Sequence, residues 1–143
     1  MEKMLQQLLQ DAPDAILFAD RDGIIRFWNQ GAERIFGYSA VQALGESLDL
    51  IIPVGLRGRH WEGYRQVIAS GVTKYQDGGL LAVPGSRQEG SRVSLEFSMV
   101  MIHDDRGEVA GCAAIMRDVT TRWQQEKELK DRLARCEKEK ASE

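Results

Sequence analysis

The stretch "GIIRFWNQGAERIFGYSAVQALG", Gly23 to Gly45, changes its periodicity halfway along. Ile24-Ile25-Arg26-Phe27-Trp28 is short, β-branched and aromatic, and follows Asp20-Arg21-Asp22-Gly23, a turn-forming run ending in DG. With Ala15-Ile16-Leu17-Phe18-Ala19 before that turn, it reads as a β-hairpin. After Trp28, Asn29 is of the type that caps a helix start, and the spacing predicts a helix over Gln30–Phe36 that Gly37 ends. Ser39-Ala40-Val41-Gln42 has the spacing of a capping box, so a second short helix follows. A hairpin running directly into two short helices is a strong constraint on the fold.

Upstream, Met4, Leu5, Leu8 and Leu9 form an apolar stripe on a polar peptide, predicting an amphipathic helix over residues 1–10 that Pro13 terminates. Downstream of Pro53, Leu56, His60, Tyr64 and Val67 recur at spacings of four, four and three, so they share one face of a helix that Gly71 ends. A Gly-rich stretch leads through Leu80-Leu81-Ala82-Val83 to a turn expected around Pro84, Gly85 and Gly90. Val93, Leu95, Phe97, Met99 and Met101 then alternate with Ser94, Glu96 and Ser98 as a strand with one buried face. After the Asp104-Asp105-Arg106-Gly107 turn, Val109–Met116 is too apolar for an exposed edge. Five strands with helices between them give an α+β domain over residues 11–119. Residues 120–143 are charged helix formers with Leu129, Leu133 and Cys136 at coiled-coil spacing, expected to form a signalling or dimerising helix.

Composition removes several function classes. The chain has 143 residues and a net charge of −3, with no basic patch interleaved with aromatics, so nucleic acid is not an expected partner. It carries no apolar run of bilayer length and no signal-peptide pattern, and its two cysteines are far apart; a cytoplasmic location is expected, with no membrane association. No serine sits in a G-x-S-x-G elbow, no phosphate-cradling glycine loop occurs, and no Cys/His cluster has zinc spacing, so no catalytic activity is expected of this chain. Glu33 beside Arg34 and Asp118 beside Arg117 read as ion pairs.

The segment Trp28-Asn29-Gln30-Gly31-Ala32-Glu33-Arg34-Ile35-Phe36-Gly37-Tyr38-Ser39 resembles the W-N-x-x-A-E-x-x-F-G-Y-S signature of PAS domains. Independently, "GCAAIMRDVTTRW" resembles that family's last strand and its Asp-x-Thr exit, here Asp118-Val119-Thr120, leading to an output helix. The likeness runs from about Asp11 to Trp123. It implies a PAS fold, with a five-stranded antiparallel sheet, short helices on one face, and flanking N- and C-terminal helices. The flavin photoreceptors of the family need a reactive cysteine in the helix after the hairpin, and Gln30–Gly45 contains none.

Within the family, "RHWEGY", Arg59 to Tyr64, resembles the haem-binding subset typified by the rhizobial oxygen-sensor kinases. The resemblance implies haem b held by His60 as the axial iron ligand, and a neutral imidazole serves that role well. Trp61 stands where those proteins carry a carboxylate, and Tyr64 comes four residues after His60 instead of three. Leu56, Tyr64, Val67 and Ile68 are then expected to wall one side of the ring, and Leu81, Leu95, Phe97, Met99 and Ile115 the other. The rhizobial sensors place an arginine where this chain has Leu81; dioxygen gains from such a hydrogen-bond donor, so its replacement by an apolar residue implies that carbon monoxide is favoured over dioxygen. Met99 reads first as a packed core methionine, with the sixth ligand position as its alternative role.

Two functional classes stand at this level. One is a sensor of a diatomic gas (carbon monoxide, nitric oxide or dioxygen) or of redox state, forming a homodimer through its flanking helices. The other is an interaction module with a filled core or a different small apolar ligand.

Overall fold

A computed structural model describes residues 1–73 and 81–142. The chain opens with helix α1 (Glu2–Asp11), followed by strands β1 (Ala15–Asp20) and β2 (Ile25–Trp28). Helices α2 (Gln30–Phe36) and α3 (Ala40–Ala43) come next, then two 3-10 turns, Leu48–Ile51 and Val54–Leu56, and helix α4 (Arg57–Ser70). Strands β3 (Leu81–Ser86), β4 (Arg92–His103) and β5 (Val109–Asp118) complete the sheet, and helix α5 (Thr120–Ala141) leaves it. The five strands are antiparallel in the order β2-β1-β5-β4-β3. The two terminal pieces of the sheet, β1 and β5, therefore meet at its centre, which is why Val109–Met116 carries so little charge.

Local chemistry accounts for the elements. Gly23 closes the hairpin turn at φ +78 and donates its amide to the Asp20 carbonyl. Asn29 caps α2 by accepting from the Ala32 amide, Gly37 ends it in the left-handed conformation, and Ser39 and Gln42 form a complete capping box on α3.

The core lies between the inner face of the sheet and α2 to α4, with Trp28, Phe36, Ile25, Ile51 and Val93 fully buried. Trp28 and Phe36 stack at 5.5 Å between centroids.

Three expectations are corrected. Pro84 and Gly85 do not turn the chain; they lie within β3, paired with Ser94 and Val93. β3 is an edge strand, where a residue without an amide hydrogen is tolerated. Gly85 is there for closeness: a Cβ on it would stand 2.8 Å from Leu95 Cδ1 and 3.4 Å from Phe36 Cε1. Second, Arg117 and Asp118 do not pair with each other, because neighbours on a strand point to opposite faces. Arg117 pairs with Asp14 at 3.2 Å and Asp118 with Arg87 at 3.1 Å. Third, Glu33 does not serve Arg34; its Oε2 accepts from the Ala40 amide, starting α3.

Both flanking helices leave their apolar residues uncovered. Met4, Leu5, Leu8 and Leu9 of α1 are exposed, as are Leu129 and Leu133 of α5. The outer face of the sheet likewise exposes Val100, Ile102 and Ile115.

Candidate functional site

Between α4 and the inner face of the sheet lies a cavity of about 650 Å³, in the size range of small-molecule and cofactor sites. From α4 and the turn before it come Leu56, Arg59, His60, Gly63, Tyr64 and Val67. The sheet contributes Leu17 and Ala19 from β1, Val83 to Gly85 from β3, Leu95, Phe97 and Met99 from β4, and Cys112, Ala114 and Met116 from β5. Leu48, Ile51 and Ile52 close one end.

Seven of the ten residues named from the sequence thus share one cavity: Leu56, His60, Tyr64, Val67, Leu95, Phe97 and Met99. Ile115 does not. Its strand neighbours Ala114 and Met116 line the cavity, so Ile115 points through the sheet to the outer face, where it is 39% exposed beside Ile16 and Ser98. β5 is apolar on both faces, so its own sequence does not reveal which face is inside. Ile68 packs against the core beside the cavity without lining it. Leu81 opens β3 opposite Phe97, and its side chain lies outside the described residues.

His60 is the distinctive polar group. Its Nδ1 is buried without a hydrogen-bond partner among the described residues, in a wall that is otherwise largely apolar. Burial lowers its pKa below the usual histidine value, with the Asp49 carboxylate opposing in part, and so favours the neutral ring, the form that has an electron pair to donate. A buried nitrogen without a protein partner is an unsatisfied group unless a ligand completes it. Tyr64, one turn on, is already satisfied: its hydroxyl donates to the Asp20 carbonyl at 2.5 Å, and burial raises its pKa well above the usual range.

Cys112 also lines the cavity, and nothing in its apolar stretch of sequence marks it as a site residue. Its Sγ lies 3.5 Å from Met101 Sδ, and burial pushes the thiol pKa up to about 11. The pairing of Met99 with Ala114 and Phe97 with Met116 sets which β5 side chains join it, a register that no local pattern contains.

The comparisons with known proteins agree with this architecture. The family model described as PAS fold matches residues 9–124. Sensor protein FixL of Bradyrhizobium diazoefficiens is 30% identical over 98 residues, covering 68% of this chain and 19% of that protein. Oxygen sensor protein DosP of Escherichia coli is 25% identical over 123 residues, covering 86% of this chain and 15% of that protein. The cell-division control histidine kinase PdhS of Brucella ovis is 26% identical, covering 96% of this chain and 13% of the kinase. The chain therefore spans less than a fifth of the length of these curated relatives. Among solved structures, a PAS domain from Colwellia psychrerythraea superposes with a TM-score of 0.72 at 23% identity, covering 84% of this chain and 98% of that one. An RNA-binding light-oxygen-voltage receptor superposes with a TM-score of 0.77 at 23% identity, covering 94% of this chain and 37% of that one. At these identities the solved structures speak for the fold alone. With the family model covering most of the sequence and the sheet, caps and exit strand all in place, the chain belongs to the PAS family of sensor domains.

Proposed function

We propose that this chain is the sensory domain of a cytoplasmic signal-transduction protein, that it binds haem b through His60, and that it responds to a diatomic gas or to redox state. The observation that carries the reading is the half-buried His60 imidazole, whose buried Nδ1 has no partner among the described residues, in a largely apolar cavity of cofactor size. The resemblance of "RHWEGY" to the rhizobial sensors, and the likeness to FixL and to the oxygen sensor DosP, support it. When bound, haem supplies an iron centre whose ligation responds to small diatomic molecules.

The chain's own residues then have definite tasks. His60 donates an electron pair; Leu56 and Val67 exclude water on its side; Leu95, Phe97 and Met99 present an apolar surface on the other. With Leu81 at the position of the rhizobial arginine, carbon monoxide is favoured over dioxygen. No side-chain set for catalysis is assigned to this chain, and the output belongs to another part of the signalling protein. α1 and α5 join two copies into a homodimer through their uncovered apolar residues.

An absorption spectrum of protein supplied with haem tests the reading. A strong Soret band that shifts with carbon monoxide is expected, and His60→Ala should abolish or grossly alter it. Folded protein without a Soret band would instead favour a different small apolar ligand, and an unchanged band in His60→Ala would overturn the ligand assignment.

A further inference from the structure

The direction in which His60 faces is set by contacts made outside the cavity. Trp61 Nε1 donates to Asp49 Oδ1 at 2.7 Å. Arg57, at the start of α4, donates from Nη2 to the Asp49 carbonyl at 3.1 Å, so the 3-10 turn grips the helix at two points. The Trp61 ring fills the space over Gly23 in the hairpin turn, where a Cβ would stand 2.1 Å from its Cη2. Tyr64 ties the next turn of α4 to Asp20. The contacts at residues 57, 61 and 64 together oppose rotation of α4 about its axis. His60 packs against both aromatic neighbours, with centroids 4.8 Å from Trp61 and 5.8 Å from Tyr64. Its buried Nδ1 has no hydrogen-bond partner among the described residues, and the ring contacts to Trp61 and Tyr64 are what set it.

We propose that Asp49 and Trp61 form a positioning pair for His60, which holds the imidazole aimed into the cavity. This rests on His60 being the haem ligand. The indole reaches the carboxylate of Asp49, eleven positions before His60, through its Nε1 hydrogen bond. A ligand carried on a fixed ring loses less freedom on binding than one on a mobile ring, and groups that orient a metal ligand commonly contribute about tenfold or more in retention of the metal group.

The test measures haem dissociation, transferred to excess apomyoglobin, in the full chain. Trp61→Phe keeps a ring over Gly23 but removes the bond, and is expected to release haem about tenfold faster. Asp49→Ala should match it, whereas Asp49→Asn, which keeps an acceptor oxygen, should stay near the wild-type rate. The discriminating background is His60→Gly with free imidazole supplied as the ligand: an untethered imidazole needs no positioning, so adding Trp61→Phe should change nothing further. Equal acceleration in that background, or none in the wild-type background, overturns the proposal. Wild-type protein that takes up no haem defeats the ligand reading alone. The pair is then judged in the apo protein by histidine ring NMR: one sharp His60 ring environment that becomes averaged in Trp61→Phe supports positioning, and identical spectra overturn it.

Discussion

The side-chain amide of Asn29 donates to the carbonyl of Leu9 at 2.8 Å, joining the last turn of α1 to the start of α2 across twenty residues of sequence. The same amide group donates to the Asp14 carbonyl, and its Oδ1 accepts from the amides of Ile16 and Ala32. Asn29 is fully buried, so it is a junction between α1, β1 and α2 as well as a helix cap. Asn29→Ala leaves these buried groups unpaired and is expected to cost about 3 kcal/mol, read from urea denaturation. Asn29→Asp keeps the acceptor but loses the donors, so α1 should exchange its amides faster while α2 stays protected.

Gly111, on β5 at the centre of the sheet, is expected to resist replacement. A Cβ there would stand 2.1 Å from the Ala19 carbonyl oxygen and 2.8 Å from Phe18 Cζ. The first of these is backbone of a paired strand and cannot move aside. Gly111→Ala should cost roughly 3 kcal/mol, the upper end for overpacking, whereas Gly107→Ser, in a turn with no neighbour near its Cβ, should show only the strain of its φ of +80. Thermal denaturation of the two variants compares them directly.

The two cysteines should differ sharply in reactivity. Cys112 is buried with its pKa pushed up to about 11, and Cys136 is exposed on α5. Because thiolate is the reactive form, an alkylating reagent at pH 8 should label Cys136 quickly and Cys112 only on unfolding. Raising the pH toward 11 should accelerate Cys112 labelling if the fold persists. Mass spectrometry of the two peptides provides the measurement; comparable rates at pH 8 would contradict the burial of Cys112.

Output from the cavity to α5 is expected to pass through β4. Leu95 lines the cavity, and its neighbours hold the helix: Ser94 bonds Thr120 Oγ1 and the Val119 amide, and Glu96 pairs with Arg122. Asp118 completes the junction by accepting from Thr120 while paired with Arg87. Thr120→Val removes two of these bonds, and a loss of about 1 kcal/mol would raise amide exchange in the first turn of α5 roughly fivefold. Exchange near Leu133 should be unaffected. Haem uptake should alter protection at the same first turn; identical protection from Thr120 onward would defeat this route.

Light scattering should find two chains per particle. Leu8→Asp together with Leu129→Asp places charge on both uncovered stripes and should give a single-chain mass with unchanged circular dichroism. A wild-type monomer at high micromolar concentration would count against the dimer.

What the sequence determined by itself was local. The hairpin turn at Gly23, the caps at Asn29 and Ser39, the stop at Gly37 and the alternation along β4 are all short-range chemistry, in which each residue acts on backbone within a few positions. For the same reason the helical face of His60, Tyr64 and Val67 is legible before any fold, since a helix repeats within the residues that form it, whereas Leu56 lies in the 3-10 turn before α4. Tertiary structure decided the rest. Ile115 and Ala114 look alike in an apolar strand, and only the register of β5 against β4 and β1 turns one outward and the other into the cavity. Pro84 and Gly85 carry turn chemistry, and only the placement of β3 at the sheet edge lets them extend. The hold of Asn29 on Leu9 and of Asp49 on Trp61 depends on side chains brought together by folding, which no period or spacing along the chain encodes.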